Sequence, residues 1–362
     1  MNISSRFAIC LILLSSAIDA GAVEPVTLEN VKSPGPNVLD EPTAEFSLEK
    51  PAHFLDSASL QWQKQRKCFT CHTNFAYLYA RPFLGSDSTA HRQVRSFAEE
   101  LVRVRWKEKG PRWDAEVVAA AASLAYNDAL VDGKLHDATK HALDKMWTLQ
   151  RDDGGWDWLK CDWPPMESDD HYGATLAAIA VGIAPEKYKE TPAAIEGMKK
   201  LKGYLANTPS ETLHHDLMKL WASTFHQGIL DDDAKTKIID QLFDLQLNDG
   251  GWAIASLGDW SRQDDKQQDK SNSDGYGTGF SVFALRTAGI SASDSRIEKG
   301  VRWLKQNQRK SGRWITRSLT KDNKHFISHA GTAFAVMAIA SCDETKNVSI
   351  FRARPGVELN SN

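Results

Sequence analysis

Gln246-Leu-Asn-Asp-Gly-Gly-Trp252 is one copy of a pattern, Gln-x3-Gly-x-Trp, that occurs three times in the chain. The other copies are residues 150–156 (QRDDGGW) and 308–314 (QRKSGRW). Internal repeats predict a ring or stack of similar units, because each unit buries its apolar face only against its neighbours. Each copy follows an amphipathic stretch with apolar residues at helical spacing, so the pattern is predicted to lie at a helix C-terminus, where Gly ends the helix and Trp packs back.

A second type of helix follows each copy. Its sequence is small or apolar on nearly every face, as in residues 171–180, 275–284 and 329–338. Such a helix is buried all round, so we expect it inside, with the amphipathic helices outside. Six outer–inner pairs can be traced, and they predict an all-α protein, an α/α toroid with six inner helices around a central cavity. The pairs without the full pattern are residues 57–67 with 74–80, 93–107 with 114–126, and 194–206 with 214–223.

Composition and the N-terminus bear on location. The 362 residues are 41% hydrophobic with a formal net charge of −3, as in globular proteins, and no basic excess indicates nucleic-acid binding. Residues 1–22 contain Arg6, an apolar run and small residues at the end, which predicts a secretory signal cleaved near Ala22. An uncleaved anchor is the alternative, although the run is short for a bilayer. We therefore expect an exported protein, periplasmic or secreted, with no membrane span after cleavage.

The remaining chain divides into three parts. Residues 23–54 include four prolines before position 50 and show no helical period, so they are predicted to be an extended linker or strap. Residues 55–342 form the predicted toroid and residues 343–362 a polar tail. The loop 259–273 is longer than its counterparts and rich in Asp, Lys and Gln, which predicts a solvated surface loop.

Cys68-Phe-Thr-Cys71-His72 is the segment that specifies chemistry. In c-type cytochromes, two thiols with this spacing attach to the vinyl groups of haem, and the adjacent His is an iron ligand. Export is independent support, because haem attachment occurs outside the cytoplasm. The segment predicts one covalent haem c bound by Cys68, Cys71 and His72, with an electron-transfer or redox role and a redox partner protein.

Other interpretations of the segment stay open. A disulfide between Cys68 and Cys71 would leave a non-catalytic binding scaffold, and a zinc site would need ligands from elsewhere. Inner-helix starts are collected at one end of a ring, so polar residues there are candidates for a second iron ligand or an alternative metal site. These candidates are His171, His215, Asp274 and His329, and, for the iron alone, His214, Met146, Met166, Met198, Met218 and Met337. Cys161 and Cys342 are predicted to form a disulfide or to remain buried thiols.

The three copies, with Lys299-Gly300 upstream of the third, resemble the QW repeats of squalene-hopene cyclases. The helix start at Tyr276 resembles inner helices of the wider superfamily of terpenoid cyclases and protein prenyltransferases, all of them α/α toroids. The resemblance spans about residues 55–342. It implies that the repeats are structural, with Gln bonding to helix-end backbone and Trp stacking on the next repeat.

The resemblance also implies a candidate acid. Cyclases protonate a double bond or epoxide with an Asp-x-Asp-Asp motif, and the nearest match is Glu167-Ser-Asp169-Asp170, which differs at its first residue. Asp169 and Asp170 are thus the candidate catalytic residues of a haem-free, terpenoid-cyclase-like enzyme, while capping of the next helix is the alternative. Full cyclases have two toroids, whereas this chain has room for one.

Prenyltransferase β-subunits are single toroids that hold zinc through Asp, Cys and His. Asp274 and His329 stand in comparable places, but Tyr276 stands where a Cys would be needed. Aromatic side chains at inner positions suit an apolar, isoprenoid-like ligand. The candidates for such a lining are Trp158, Trp163, Trp221, Trp260, Tyr276 and Phe280.

Overall fold

The computed structural model describes residues 24–69 and 71–343. The predicted signal at 1–22, nearly all of the predicted tail and Thr70 lie outside these residues. Within them, the chain is helical, and extended pairing is limited to the isolated bridges Pro42–Arg309 and Trp163–Glu167. No helix of the described part has the length and apolar character needed to cross a bilayer.

The helices alternate between an outer and an inner layer. The outer helices are α1 (Glu49–Arg66), α3 (Thr89–Glu100), α4 (Trp106–Lys109), α6 (Asp137–Thr148), α8 (Pro192–Asn207), α10 (Asp232–Asp244) and α12 (Ser295–Gln306). The inner helices are α2 (Ala76–Ala80), α5 (Asp114–Val131), α7 (Asp170–Ile183), α9 (Leu213–Ser223), α11 (Gly275–Thr287) and α13 (Ile327–Ser341). A π-helical turn, Cys71–Phe75, leads into α2, and another, Leu101–Arg105, joins α3 to α4.

The inner helices close into a ring. Each one packs on the next along the chain, and α13 packs on α2, so the last repeat meets the first. Small residues permit this contact, since a Cβ on Gly279 of α11 would lie 2.6 Å from the backbone nitrogen of Ala335 in α13. The described residues therefore confirm the predicted all-α fold, an α/α toroid with six outer–inner pairs.

The Gln of each Gln-x3-Gly-x-Trp copy ties its repeat to the next one. Its side-chain amide donates to a carbonyl within its own loop and to a backbone carbonyl at or beside the next outer helix. The Trp, which is fully buried, donates its indole N–H to the end of its own outer helix, ten residues back. The Gln contacts are Gln150 to Gly154 and Gly197, Gln246 to Gly250 and Arg296, and Gln308 to Gly312 and Ser47; the Trp contacts are Trp156 to Met146, Trp252 to Leu242, and Trp314 to Leu304.

The first Gly of each copy completes the same joint. Gly154, Gly250 and Gly312 have φ of 94°, 93° and 94°, a left-handed conformation that favours glycine. A Cβ on any of them would overlap or crowd the backbone of the next outer helix, at Lys200, Lys299 and Lys50 respectively. Because Lys50 belongs to α1, the third copy closes the outer layer onto the first repeat.

Residues 35–48 lie along this closing joint, whereas Leu28 and Glu29 bond to α3 and α1. Asp40 and Arg313 form an ion pair of 2.6 Å in which both side chains are buried. The Asn37 amide donates to Ser328 Oγ (2.9 Å) and accepts from Arg313 Nη1 (2.9 Å). The N-terminal segment is thus fastened to the last repeat and to the start of α13.

The enlarged loop 259–273 is only partly the solvated surface that its composition predicts. Arg262 is 1% exposed and pairs with Asp264 (2.7 Å) and with Asp322 of the next repeat (2.8 Å). The Gln268 amide donates to the Leu319 carbonyl (2.8 Å). Arg262 and Gln268 therefore bind the loop to residues 318–322, whereas its other charged residues, among them Asp259, Asp265 and Lys270, are exposed. Composition alone does not reveal this division.

Aromatic side chains from the inner helices fill the centre of the ring. Five inner helices each contribute one ring, and Trp221 lies 4.9–6.4 Å from the other four centroids. The predicted central cavity is therefore occupied at this level, because bulky rings take the space that the small helix residues leave. The set is Tyr79, Tyr126, Trp221, Phe283 and Phe334.

We predict that Gly154→Ala destabilises the protein more than Gly289→Ala does. Gly289 has a similar φ of 97° but nothing within 4 Å of its would-be Cβ, so Ala there bears only the left-handed strain of about 1–2 kcal/mol. At Gly154 the overlap with Lys200 adds about 1–3 kcal/mol. Urea unfolding of the two variants measures the difference in their free energies of unfolding. Equal losses of stability would contradict the close contact between Gly154 and the Lys200 backbone.

Candidate functional site

A cavity of about 300 Å³ opens at the end of the ring where the inner helices begin. Its walls come from the π-helical turn Cys71–Phe75, the start of α5, the loop 159–167 and the segment 324–326 before α13. Most of its surface is apolar. We term it the CxxCH cavity, and its lining includes Cys68, Cys71, His72, Trp62, Trp163 and Phe326.

The end of α1 turns the chain into this cavity. Lys67 adopts a left-handed conformation, and its N–H donates to the Gln63 carbonyl (2.9 Å). Cys68 is half-buried and Cys71 buried, and both are free thiols, so the local disulfide is not formed. Burial, with the nearby Glu167 carboxylate, raises the pKa of the Cys71 thiol well above its usual range. Cys71 is therefore protonated at neutral pH.

His72 is held between two aromatic rings. Phe326 stacks on it at 5.5 Å with an interplanar angle of 15°, and Trp62 meets it edge-on at 4.9 Å. Burial, and then the charge that His329 would carry, lower the pKa of His72 to about 3. The imidazole is therefore neutral at physiological pH, which is the form that binds metals.

A threonine links His72 to the last repeat. Thr73 Oγ1 lies 2.8 Å from His72 Nδ1 and 2.9 Å from Nδ1 of His329. One hydroxyl has one hydrogen, so Thr73 donates to at most one of the two imidazoles and accepts from at least one. Burial and the Arg313 charge lower the pKa of His329 to about 3, so this ring is neutral as well.

The structure brings His329 to the CxxCH motif but places the other polar candidates elsewhere. His215 donates from Nε2 to Asp169 (3.0 Å) and accepts at Nδ1 from the Glu211 N–H (3.3 Å). The His171 ring stacks on His215 at 4.4 Å. Asp274 caps α11, where it accepts from the N–H groups of Gly277 (2.9 Å) and Ile254 (2.6 Å).

The candidate acids have structural partners. Asp169 caps α7 by accepting from the Tyr172 N–H (3.1 Å). Asp170 pairs with Arg151 (2.8 Å) and accepts from the Trp158 N–H (3.1 Å). Burial acts to raise the pKa of Asp169, but the hydrogen bond and charge of His215 outweigh it and hold the pKa below its usual value. An ionised carboxylate cannot serve as a proton donor.

The described residues gather no three His, Cys, Asp or Glu side chains into a group that could hold a metal ion. The proposed zinc ligands His171, His215 and Asp274 bond within the protein or stack, as described. Among the methionines, Met166 lies beside His72, lining a small adjoining cavity of about 20 Å³.

Cys161 and Cys342 are free and far apart. Cys161 lines the CxxCH cavity with Phe326, just before α13, whereas Cys342 follows the last residue of that helix. Fifteen helical residues span roughly 22 Å, and a disulfide needs Cα atoms within about 7 Å. The predicted pairing of these two residues is wrong, and Cys161 is exposed, not buried.

Sequence reasoning missed Thr73, Trp62 and Phe326, which support His72. Thr73 directly follows His72, and Trp62 lies near the end of the helix before it, so their closeness in sequence was an available signal. Phe326 comes from the other end of the chain. Its contact with His72 depends on the closure of the ring.

The model of the squalene-hopene cyclase C-terminal domain matches residues 220–344, about a third of the chain. A comparison with curated proteins finds no significant sequence match. The family match covers the part that contains the second and third Gln-x3-Gly-x-Trp copies.

Solved structures show the same kind of fold. An alpha-1,6-mannanase from Salegentibacter sp. HEL1_6 aligns with a TM-score of 0.50 at 10% identity, over 82% of this chain and 100% of that one. A variant of the type II terpene cyclase MstE from Scytonema, in complex with geranylgeranyl dihydroxybenzoate, aligns with a TM-score of 0.44 at 11% identity, over 82% of this chain and 98% of that one. At these identities the similarity concerns the fold alone. The chain has an α/α-toroid fold, and its residues 220–344 are similar to the squalene-hopene cyclase C-terminal domain.

We predict that His171→Phe stabilises the protein. His171 is 4% exposed and both of its ring nitrogens lack hydrogen-bond partners, and each unpaired buried polar group costs about 1–3 kcal/mol. Phe keeps the stacking on His215 and removes these polar atoms. Urea unfolding at neutral pH is the measurement, with the exposed His141→Gln as control, and a loss of stability would contradict the prediction.

The same variant changes the pH dependence of stability. Burial lowers the pKa of His171 to about 3, so between about pH 6.5 and 3 the unfolded chain binds a proton that the folded chain does not. This difference costs the wild type stability as the pH falls. Without the histidine, the stability advantage of His171→Phe grows from pH 7 to about pH 5, and an unchanged difference would contradict the lowered pKa.

Proposed function

We propose that this chain is an exported α/α-toroid protein that carries one covalently attached haem c in the CxxCH cavity and acts in electron transfer or as a redox site. The proposal rests on one observation: Cys68, Cys71 and His72 all line one largely apolar cavity. Its volume of about 300 Å³ lies at the lower end of ligand pockets, which measure roughly 300–1,000 Å³. The exposed Trp113 stands at its mouth.

The lining suits the parts of a haem. Aromatic side chains such as Trp62, Trp163 and Phe326 offer apolar contact to a planar ring. Arg112 and Lys324 provide cations for its carboxylate groups. His72 would bind the iron, and Cys68 and Cys71 would hold the ring by thioether bonds.

The hydrogen bonds around His72 fit the role of a ligand. If Nδ1–H donates to Thr73, then Nε2 keeps its lone pair for a metal, and the Thr73 hydrogen is free to be donated to Nδ1 of His329. Metal-binding histidines nearly always donate their second N–H in this way, which fixes the orientation of the ring and raises its basicity. The low pKa of His72, about 3, keeps Nε2 unprotonated.

The attachment needs no oxidant or reductant. Each thiol adds across a vinyl double bond, so that sulfur bonds to one carbon and the thiol hydrogen ends on the other. Bound haem supplies an iron centre that exchanges one electron, with a potential set by its ligands and surroundings. The chain's own contribution is to exclude water with aromatic walls and to hold His72 in place.

The terpenoid-cyclase alternative lacks comparable support. Asp169 is ionised and caps α7. Asp170 pairs with Arg151 and accepts from the Trp158 N–H in the loop before α7. The aromatic set that could accept an isoprenoid is partly used elsewhere, since Trp221 fills the ring centre.

Co-expression with a haem-maturation system tests the proposal. We expect a Soret band from haem that stays on the denatured chain, and a mature N-terminus near Val23 by mass spectrometry. Cys68→Ala combined with Cys71→Ala should abolish the covalent retention. Cys161→Ala is the matched control, because Cys161 lines the same cavity without the motif spacing. Absence of haem, or haem removed by acid extraction from the wild type, would refute the proposal.

Thr73→Val tests the hydrogen bond between Thr73 and His72. Without the hydroxyl, His72 loses the acceptor for its Nδ1–H and becomes a weaker electron donor to the iron. The reduction midpoint potential should therefore rise, while covalent haem content stays near the wild-type value. A potentiometric titration followed by visible absorption measures both. An unchanged potential would contradict the hydrogen bond.

A further inference from the structure

A second cavity, of about 200 Å³, lies between the fifth and sixth repeats, away from the CxxCH motif. The enlarged loop 259–273 builds one wall, and the third Gln-x3-Gly-x-Trp region builds the other. Because hydrogen bonds and ion pairs fasten this loop to residues 318–322, the cavity has a defined shape. We term it the loop cavity. Residues that the following argument uses are Gln268, Asp269, Asn272, Asp274, Asn307 and Arg309.

Arg309 contributes an unused cation to the loop cavity. Its Nε is buried and has no hydrogen-bond partner, and the ion pairs of the described residues do not include it. Its backbone is held firmly, since Arg309 N–H donates to the Arg313 carbonyl (2.9 Å) and Arg309 bridges to Pro42. Arg309 as a whole is half-buried, but a buried Nε–H without a partner still needs an explanation. A planar anion would supply one, because it can accept from Nε and Nη together.

The other charged groups of the loop cavity already have partners. Arg317 pairs with Asp322 (2.7 Å). Asp269 accepts from Ser271 and Asn272 of its own loop, and Asp274 caps α11. Two carboxylates beside one unpaired guanidinium limit the guest to a single negative charge, because they would repel a doubly charged phosphate more strongly.

The amide nitrogens of the cavity donate hydrogen bonds within the protein, whereas the described residues make no hydrogen bond to the amide oxygens. Gln268 donates to the carbonyls of Trp260 (2.9 Å) and Leu319 (2.8 Å). Asn272 donates to Asp269 (3.0 Å), and Asn307 donates to the Trp303 carbonyl (2.9 Å). Their oxygens therefore remain as acceptors, and the partner that matches them is a hydroxyl group.

We infer that the loop cavity binds a small hydroxy-carboxylate, with its carboxylate on Arg309 and its hydroxyl groups on the amide oxygens of Gln268, Asn272 and Asn307. The volume is below that of typical drug-sized pockets, so the guest has few carbon atoms. The apolar faces of Ile254 and Leu319 contact its carbon chain. This site is independent of haem attachment.

Calorimetric titration of the full chain with glycerate at neutral pH tests the inference. Glycerate has one carboxylate and two hydroxyl groups; glycerol lacks the charge, and inorganic phosphate lacks the carbon chain. We expect glycerate to bind at least ten times more tightly than either. Equal binding of phosphate or glycerol, or no binding of glycerate, would overturn the inference.

Arg309→Gln should weaken glycerate binding at least tenfold, because it removes the cation. Arg302→Gln, on the exposed face of α12, is the matched control and should bind as the wild type does. Glycerate affinity that is the same in Arg309→Gln as in the wild type would refute the site. Circular dichroism checks the fold of each variant. If Arg309→Gln does not fold, the binding of glycerate, glycerol and phosphate to the wild-type protein decides whether the site exists.

Discussion

The joint between one repeat and the next outer helix is the constraint on which the rest of the structure depends. In each copy a glutamine amide donates to the backbone at the next helix, and a left-handed glycine lets the two backbones touch. Both contacts involve backbone atoms of the next helix, so its side chains are free to vary there. The repeats can therefore differ in sequence while the ring keeps its geometry.

The third joint differs from the first two because it closes the ring. Gln308 is fully buried and exchanges two hydrogen bonds with Ser47, which precedes α1. The buried Asp40–Arg313 pair lies beside it, and loss of one partner would leave an uncompensated buried charge. Closure brings residues near positions 72 and 329 together. The hydrogen bond between Thr73 and His329 exists only in a closed ring.

The two-layer ring could be predicted from the sequence because short local patterns indicate which layer each helix belongs to and where it ends. Small, apolar helices such as α11 are buried all round, and the glycine positions mark the helix ends. Contacts between distant residues were not predictable in this way. The contact of Phe326 with His72 joins opposite ends of the chain, and Arg262 of the loop 259–273 pairs with Asp322 of the next repeat. Likewise, Asp169 and Asp170 match a catalytic motif in part, but their hydrogen bonds show capping and pairing.

We infer that the closed ring presents a neutral His72, with Nε2 unprotonated, to the CxxCH cavity. The most direct measurement is the ¹⁵N chemical shift of the His72 ring nitrogens in haem-free protein from pH 7 to about pH 4, assigned by their loss in His72→Gln. We expect a neutral His72 ring protonated at Nδ1 over this whole range, because burial lowers the pKa of His72 to about 3. Protonation of His72 with a midpoint near the ordinary value of about 6.5 would contradict it.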